Sequence, residues 1–145
     1  MNQPLSYIHP EAKIADNVVI EPFACIHKNV TIDEGTWVGS HVTIMEGARI
    51  GKNCKISENS ILKGPIIMGD NCVVSSATIG PNVSIGNNSI LENCGIENSI
   101  LMNNCKIISN THIFDSIIAN GSEIKKSTSD KKQQFLLGER SQVNL

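Results

Sequence analysis

The chain has 145 residues, a length that suits one domain with one core. Aromatic residues are only 3% of it (one Trp, one Tyr, three Phe), which excludes a core built on large rings. A formal net charge of −2 excludes the basic footprint of a nucleic-acid binder, and no apolar run approaches the ~20 residues that span a bilayer. No charged-then-apolar leader opens the chain, so no membrane insertion is expected and the cytoplasm is the expected setting.

From Ile8 onward an aliphatic or Met residue recurs every six positions: Ile8, Ile14, Ile20, Ile26, Ile32, Val38, Ile44, Ile50, Ile56, Leu62, Met68 and Val74. Two positions before nearly all of them stands a small or β-branched residue, such as Ala12, Val18, Ala24, Val30, Thr36, Val42, Ala48, Cys54 or Cys72. A hexapeptide period of this kind predicts an all-β fold, a parallel β-helix, because each short rung buries its apolar side only by stacking on the next. Beyond Val74 the period slips by single residues and continues through Ile79, Ile85, Leu91, Ile96, Met102, Ile107, Ile113, Ile118 and Ile124. Three rungs per triangular turn make these 21 rungs seven coils, a prism ~34 Å tall at ~4.8 Å per coil.

Corners are punctuated by Gly39, Gly51, Gly69, Gly80 and Gly86, each directly after an inward aliphatic. Pro10, Pro22 and Pro81 follow such a residue by two. Asn53, Asn71, Asn93 and Asn104, each directly before a Cys, suit a left-handed corner. These Gly and Asn residues read as structural, since no phosphate-binding glycine motif occurs. The expected domains are a β-helix over 1–124, a polar linker over 125–134 (KKSTSDKKQQ) and a terminal capping rung over 135–145. A cap is needed because the end of a solenoid is an exposed sheet edge. Residues 1–7 are expected to cross the first coil.

Few residues carry chemistry. Cys54, Cys72, Cys94 and Cys105 occupy the small inward position, where a thiol behaves as a small hydrophobe. Cys54, Cys72, Ser89, Cys105 and Ser122 should stack in one column, and Cys25 should point outward. His9 and His27 sit one coil apart at a corner without the partners a metal needs, so no metal site and no cofactor are expected. His41 lies in a turn and His112 points out from a flat face; these two are the candidates for a catalytic base, His112 the better. No Ser–His–Asp or Cys–His order stands out, and cofactor-binding residues are not identifiable.

The outward residues form rows. One reads Val19, Trp37, Lys55, Val73, Ile90, Lys106, Glu123 and another Lys13, Thr31, Arg49, Ile67, Ser84, Leu101, Ile117. Val19, Trp37, Val73 and Ile90 would form an apolar strip of the kind that marks an interface, so a homo-oligomer packed through the Trp37 face is expected.

Two resemblances follow from particular segments. Residues 7–56, with IHPEAKI, EPFA and GSHVTIMEGARIGKNC, resemble the N-terminal coils of the UDP-N-acetylglucosamine O-acyltransferase of lipid A synthesis. From about Lys63 to the end, KGPIIMGDNC, ATIGPNVSIG, CGIENSIL, IFDSIIANGSEI and FLLGERSQVNL look like the C-terminal β-helix of long-form glucose-1-phosphate thymidylyltransferases. Both resemblances imply a left-handed β-helix of the hexapeptide-repeat superfamily, and the first implies that the homo-oligomer expected to pack through the Trp37 face is a trimer. A chain that opens like one family and closes like another reads as a chimera, natural or engineered, joined where the coil registers agree. Neither resemblance brings an active site. The acyltransferase's catalytic His lies beyond the matched segment, His41 matches a non-catalytic position, and the thymidylyltransferase's GxGTRxxP loop is absent. Some sugar nucleotidyltransferases carry an acetyltransferase site on their β-helix, a His and a Tyr ahead of DS(I/V)I. Here Ser109 takes the place of that His and His112 the place of that Tyr.

Two functions are therefore carried forward. The first is a non-catalytic β-helix module that assembles subunits, related to sugar-nucleotide enzymes. The second is a hexapeptide acyl- or acetyltransferase that takes a nucleotide sugar and an acyl donor at a subunit interface.

Overall fold

A computed structural model of the chain describes residues 5–125, together with strand backbone at 132–133, 136–137 and 142–144. Met1–Pro4 and most of 126–145 fall outside the described residues, so the expected crossing of the first coil and the linker and cap boundaries lie largely outside them. Short strands of two or three residues wind into three parallel sheets of eight strands each, every third strand joining the same sheet. The result is a three-sided left-handed β-helix. Its faces are named here by outward residues: the Tyr7 face, the Lys13 face and the Trp37 face.

The six-residue period builds this form directly. In a strand alternate side chains point to opposite sides, so an inward small residue, an outward residue and an inward aliphatic make one rung, and the remaining positions turn the corner. Ile26, Ile44, Leu62, Ile79, Ile96 and Ile113 stack in register on the Tyr7 face. Ile20, Val38, Ile56, Val74, Leu91, Ile107 and Ile124 stack likewise on the Trp37 face. Most of these are fully shielded from solvent, which stabilises each rung by about 1.5–3 kcal/mol. The coils are tied by backbone hydrogen bonds such as Lys55 N to the Cys72 carbonyl at 2.9 Å.

The predicted small column is present. Thr36, Cys54, Cys72, Ser89, Cys105 and Ser122 are all buried behind the Trp37 face. Their polar atoms reach the carbonyls of the adjacent corner. Thr36 Oγ1 donates to Gly51 O at 2.7 Å, and the Cys54 and Cys72 thiols donate to Gly69 O and Gly86 O at 3.1 Å. Cys25 is half-buried and outward, as its phase predicts. Asn53, Asn71, Asn93 and Asn104 all adopt positive φ, between 54° and 58°.

One inward position differs from expectation. Leu101 is buried and Met102 is exposed, so the outward residue of that rung is Ile100 rather than Leu101. The preceding corner is one residue short. A single left-handed residue, Asn98 at φ 49°, turns it, and Ser99 follows directly as the small inward residue. Rungs at Ile79, Ile96 and Ile118 are shortened in the same way, by Ser76, Asn93 and Asp115. Toward the C-terminus, Lys132–Gln133, Leu136–Leu137 and Gln142–Asn144 pair with His112–Ile113, Ile117–Ile118 and Glu123–Lys125, one strand on each face.

Candidate functional site

On the Tyr7 face the outward row reads Tyr7, Cys25, Thr43, Ile61, Thr78, Gly95, His112. Gly95 lacks a side chain where its neighbours in the row have one. The resulting depression, about 260 Å³, is bordered by Thr78, Asn93, Asn110 and His112. A smaller one, about 180 Å³, on the other side of the same row reaches Lys63 and Glu97. The His112 ring leans into the space above Gly95, so closely that a Cβ there would overlap Cδ2 and Nε2 of the imidazole. His112 is thus exposed and held at a notch, with a hydroxyl across from it at Thr78.

The other candidate base is elsewhere. His41 is a corner residue at φ 59°, stacked on Phe23 with ring centroids 5.3 Å apart and an interplanar angle of 20°. The strand that follows it lies four strands from that of His112 on the same sheet, ~19 Å at ~4.8 Å per coil. The two histidines therefore do not converge on one reacting group. His9 Nδ1 accepts from Glu11 N at 3.0 Å and so fixes a turn. Ser109, which stands where the resemblance puts a His, is buried, and its hydroxyl has no hydrogen-bond partner among the described residues.

The thiols are poor nucleophiles where burial holds them protonated. Burial, then the nearby Glu92 carboxylate, pushes Cys94 up to about 12. Cys105 is raised by burial, and Cys72 by its contact with the Cys54 sulfur and then by burial. Among the described residues no group of three or more His, Cys, Asp or Glu is arranged to hold a metal ion, and no helix is long and apolar enough to cross a membrane.

The row Val19, Trp37, Val73, Ile90 falls on one sheet in register, interrupted by Lys55 between Trp37 and Val73. Trp37, Val73 and Ile90 are each half-buried, and Lys55 Nζ lies 5.6 Å from the Trp37 ring. Greater apolar exposure appears on the Lys13 face, at Ile67 (58%), Ile100 (48%) and Ile117 (48%). These share one row, with Ser84 between the first two. The sequence reading missed Gly95 and Ile100. Gly95 is marked in the sequence only as a glycine one residue before an inward aliphatic, Ile96. Ile100 was hidden by the shortened rung.

Comparison with known proteins places the chain in a family. Residues 62–144 match the GMPPB C-terminal domain, more than half of the sequence. The chain belongs to the GMPPB C-terminal domain family. Residues 29–64 also match the bacterial transferase hexapeptide (six repeats), so the two matches of this GMPPB-type β-helix meet at 62–64, where the sequence resemblance changes. Pairing crosses that point without a break, Ile44 on Leu62 and Leu62 on Ile79.

No curated protein matches the sequence. Among solved structures, the UDP-N-acetylglucosamine acyltransferase of Francisella novicida is 24% identical with a TM-score of 0.72 over 99% of this chain and 62% of that one. The UDP-N-acetylglucosamine O-acyltransferase of Moraxella catarrhalis is 22% identical with a TM-score of 0.59, over 98% and 62%. That of Campylobacter jejuni gives 22% and 0.53, over 92% and 72%. The GMPPB-type chain thus spans 62% of the length of the first two. The shared property is the hexapeptide-transferase fold.

Proposed function

We propose that this chain is a non-catalytic β-helix module that self-associates and so assembles sugar-nucleotide-related subunits. The observation that carries this reading is the row of exposed Ile67, Ile100 and Ile117 on a flat, rigid sheet. Aliphatic side chains aligned on a sheet favour burial against a partner. The titratable candidates, by contrast, are scattered over separate coils. In this reading residues 125–134 lead into a closing segment, 135–145, which blunts the open sheet edge at that end. No cofactor is required.

A second reading is favoured by one observation, the His112 imidazole held open at the Gly95 notch. It makes the chain an acyl- or acetyltransferase with His112 as general base toward a nucleotide sugar, in line with the name of the Francisella novicida structural neighbour. The assay that separates the two supplies acyl-CoA or acyl-carrier protein with UDP- or dTDP-sugars. No turnover is expected, with wild type and His112→Ala alike. Transfer that disappears in His112→Ala overturns the assembly-only reading.

A further inference from the structure

The charged end of the Lys13 face is a separate feature from its apolar row. Lys13, Thr31 and Arg49 are outward in register on successive coils, so the two cations stand ~9.6 Å apart along the row with a hydroxyl between them. These three, with Glu11, Asn29 and Gly47, border a depression of about 400 Å³. Gly47, at φ 87°, brings no side chain to its margin. Lys13 and Arg49 are exposed, and among the described residues neither has an ion-pair partner. The carboxylate of Glu46, next in sequence to Gly47, is engaged at the neighbouring corner instead. It lies 3.7 Å from Lys28 Nζ and accepts from Asn29 Nδ2 at 3.4 Å.

We propose that this depression is a binding site for a phosphoryl group, seated over Thr31 between Lys13 and Arg49. The inference goes beyond the assembly reading and does not depend on it, because the three residues precede Ile67 in the row. The donor set decides the ligand class. The guanidinium offers paired N–H donors in a fixed fork that fits two oxygens of a phosphate, and the ammonium adds a point charge from the opposite side. The Thr31 hydroxyl supplies a third donor between them. Donors on three successive coils suit a tetrahedral oxyanion, which presents an oxygen toward each, better than a flat carboxylate with two. With Glu11 at the rim, Lys13 and Arg49 leave the depression a net positive charge, so it draws an anion although the whole chain carries −2. His112 belongs to a different face, so the group is bound here and not transferred.

The test records amide proton–nitrogen correlation spectra of the full chain titrated with sodium diphosphate, with methyl phosphate, and with sodium chloride at matched ionic strength. The two phosphates are expected to shift the amides of 11–13, 29–31 and 47–49 along saturating curves, and chloride is expected not to. Lys13→Gln and Arg49→Gln, both at exposed outward positions, should each weaken binding about tenfold or more at an unchanged urea midpoint. Arg49→Lys, which keeps the charge and loses the fork, should fall between wild type and Arg49→Gln. Added sodium chloride should weaken binding by screening. Flotation with phosphatidylcholine vesicles containing phosphatidic acid separates the sources: capture that depends on Arg49 assigns the phosphoryl group to a lipid, and diphosphate binding without capture assigns it to a soluble ester. Shifts that scatter without saturating, that chloride reproduces, or that persist unchanged in both Gln variants overturn the site. A wild-type chain that sediments as a monomer overturns the assembly reading alone.

Discussion

At the scale of single residues, the interior behaves as a column of interchangeable aliphatics interrupted by thiols and hydroxyls of fixed size. Cys94 shows what burial does there: its thiol is pushed up to about 12, above the ~8.5 of an unfolded chain. A group whose proton is held more tightly in the folded state contributes in full below the unfolded value and less as pH rises toward the folded one. Stability is therefore expected to fall between about pH 8.5 and 12, by about 2 kcal/mol at pH 10 for this thiol. Urea midpoints at pH 8 and pH 10 measure it, and Cys94→Ala should flatten the slope while lowering both values. An unchanged slope in that variant contradicts the assignment. The inward residues were legible because period and side-chain type agree. At Ile100-Leu101-Met102 three apolar residues run together, so alternation alone does not choose among them. Only the corner turned by Asn98 makes Leu101 the inward one.

At the scale of elements, strands of two or three residues are too short to hold themselves, and the corners supply the missing ties. Along the edge between the Lys13 and Trp37 faces a chain of side-chain amides and one carboxylate links coil to coil. Lys52 N donates to Asp70 Oδ1, Asp70 N to Asn87 Oδ1, Asn87 N to Asn103 Oδ1 and Asn103 N to Asn120 Oδ1, each at 2.8 Å. Asn87→Ala removes the acceptor for Asp70 N and is expected to cost about 0.5–1.5 kcal/mol in urea unfolding. A stability equal to wild type would show that water replaces the amide without loss. The sequence marks other corner residues, such as Asn53, Asn71 and Asn104, as punctuation and does not reveal this ladder, because the pairing joins positions 16 to 18 apart that become neighbours only after one full turn. The notch at Gly95 escaped notice for the same reason: it is a gap only against Thr78 and His112, one coil to either side.

At the scale of the whole molecule, each coil touches only its neighbours, so two segments with different family resemblances join wherever register is kept. Register is kept at Leu62, where the hexapeptide and GMPPB-type matches meet. The fold was legible because a solenoid writes its period into the chain, whereas a surface that binds a partner follows no period. Which face is apolar enough to bury depends on exposures at Ile67, Ile100 and Ile117 that the sequence pattern does not carry. The most direct measurement is the mass of the wild-type chain in sedimentation equilibrium at micromolar concentration. The account predicts a multiple of the 15.7 kDa of one chain, and a species that stays at 15.7 kDa over the accessible concentration range would contradict it.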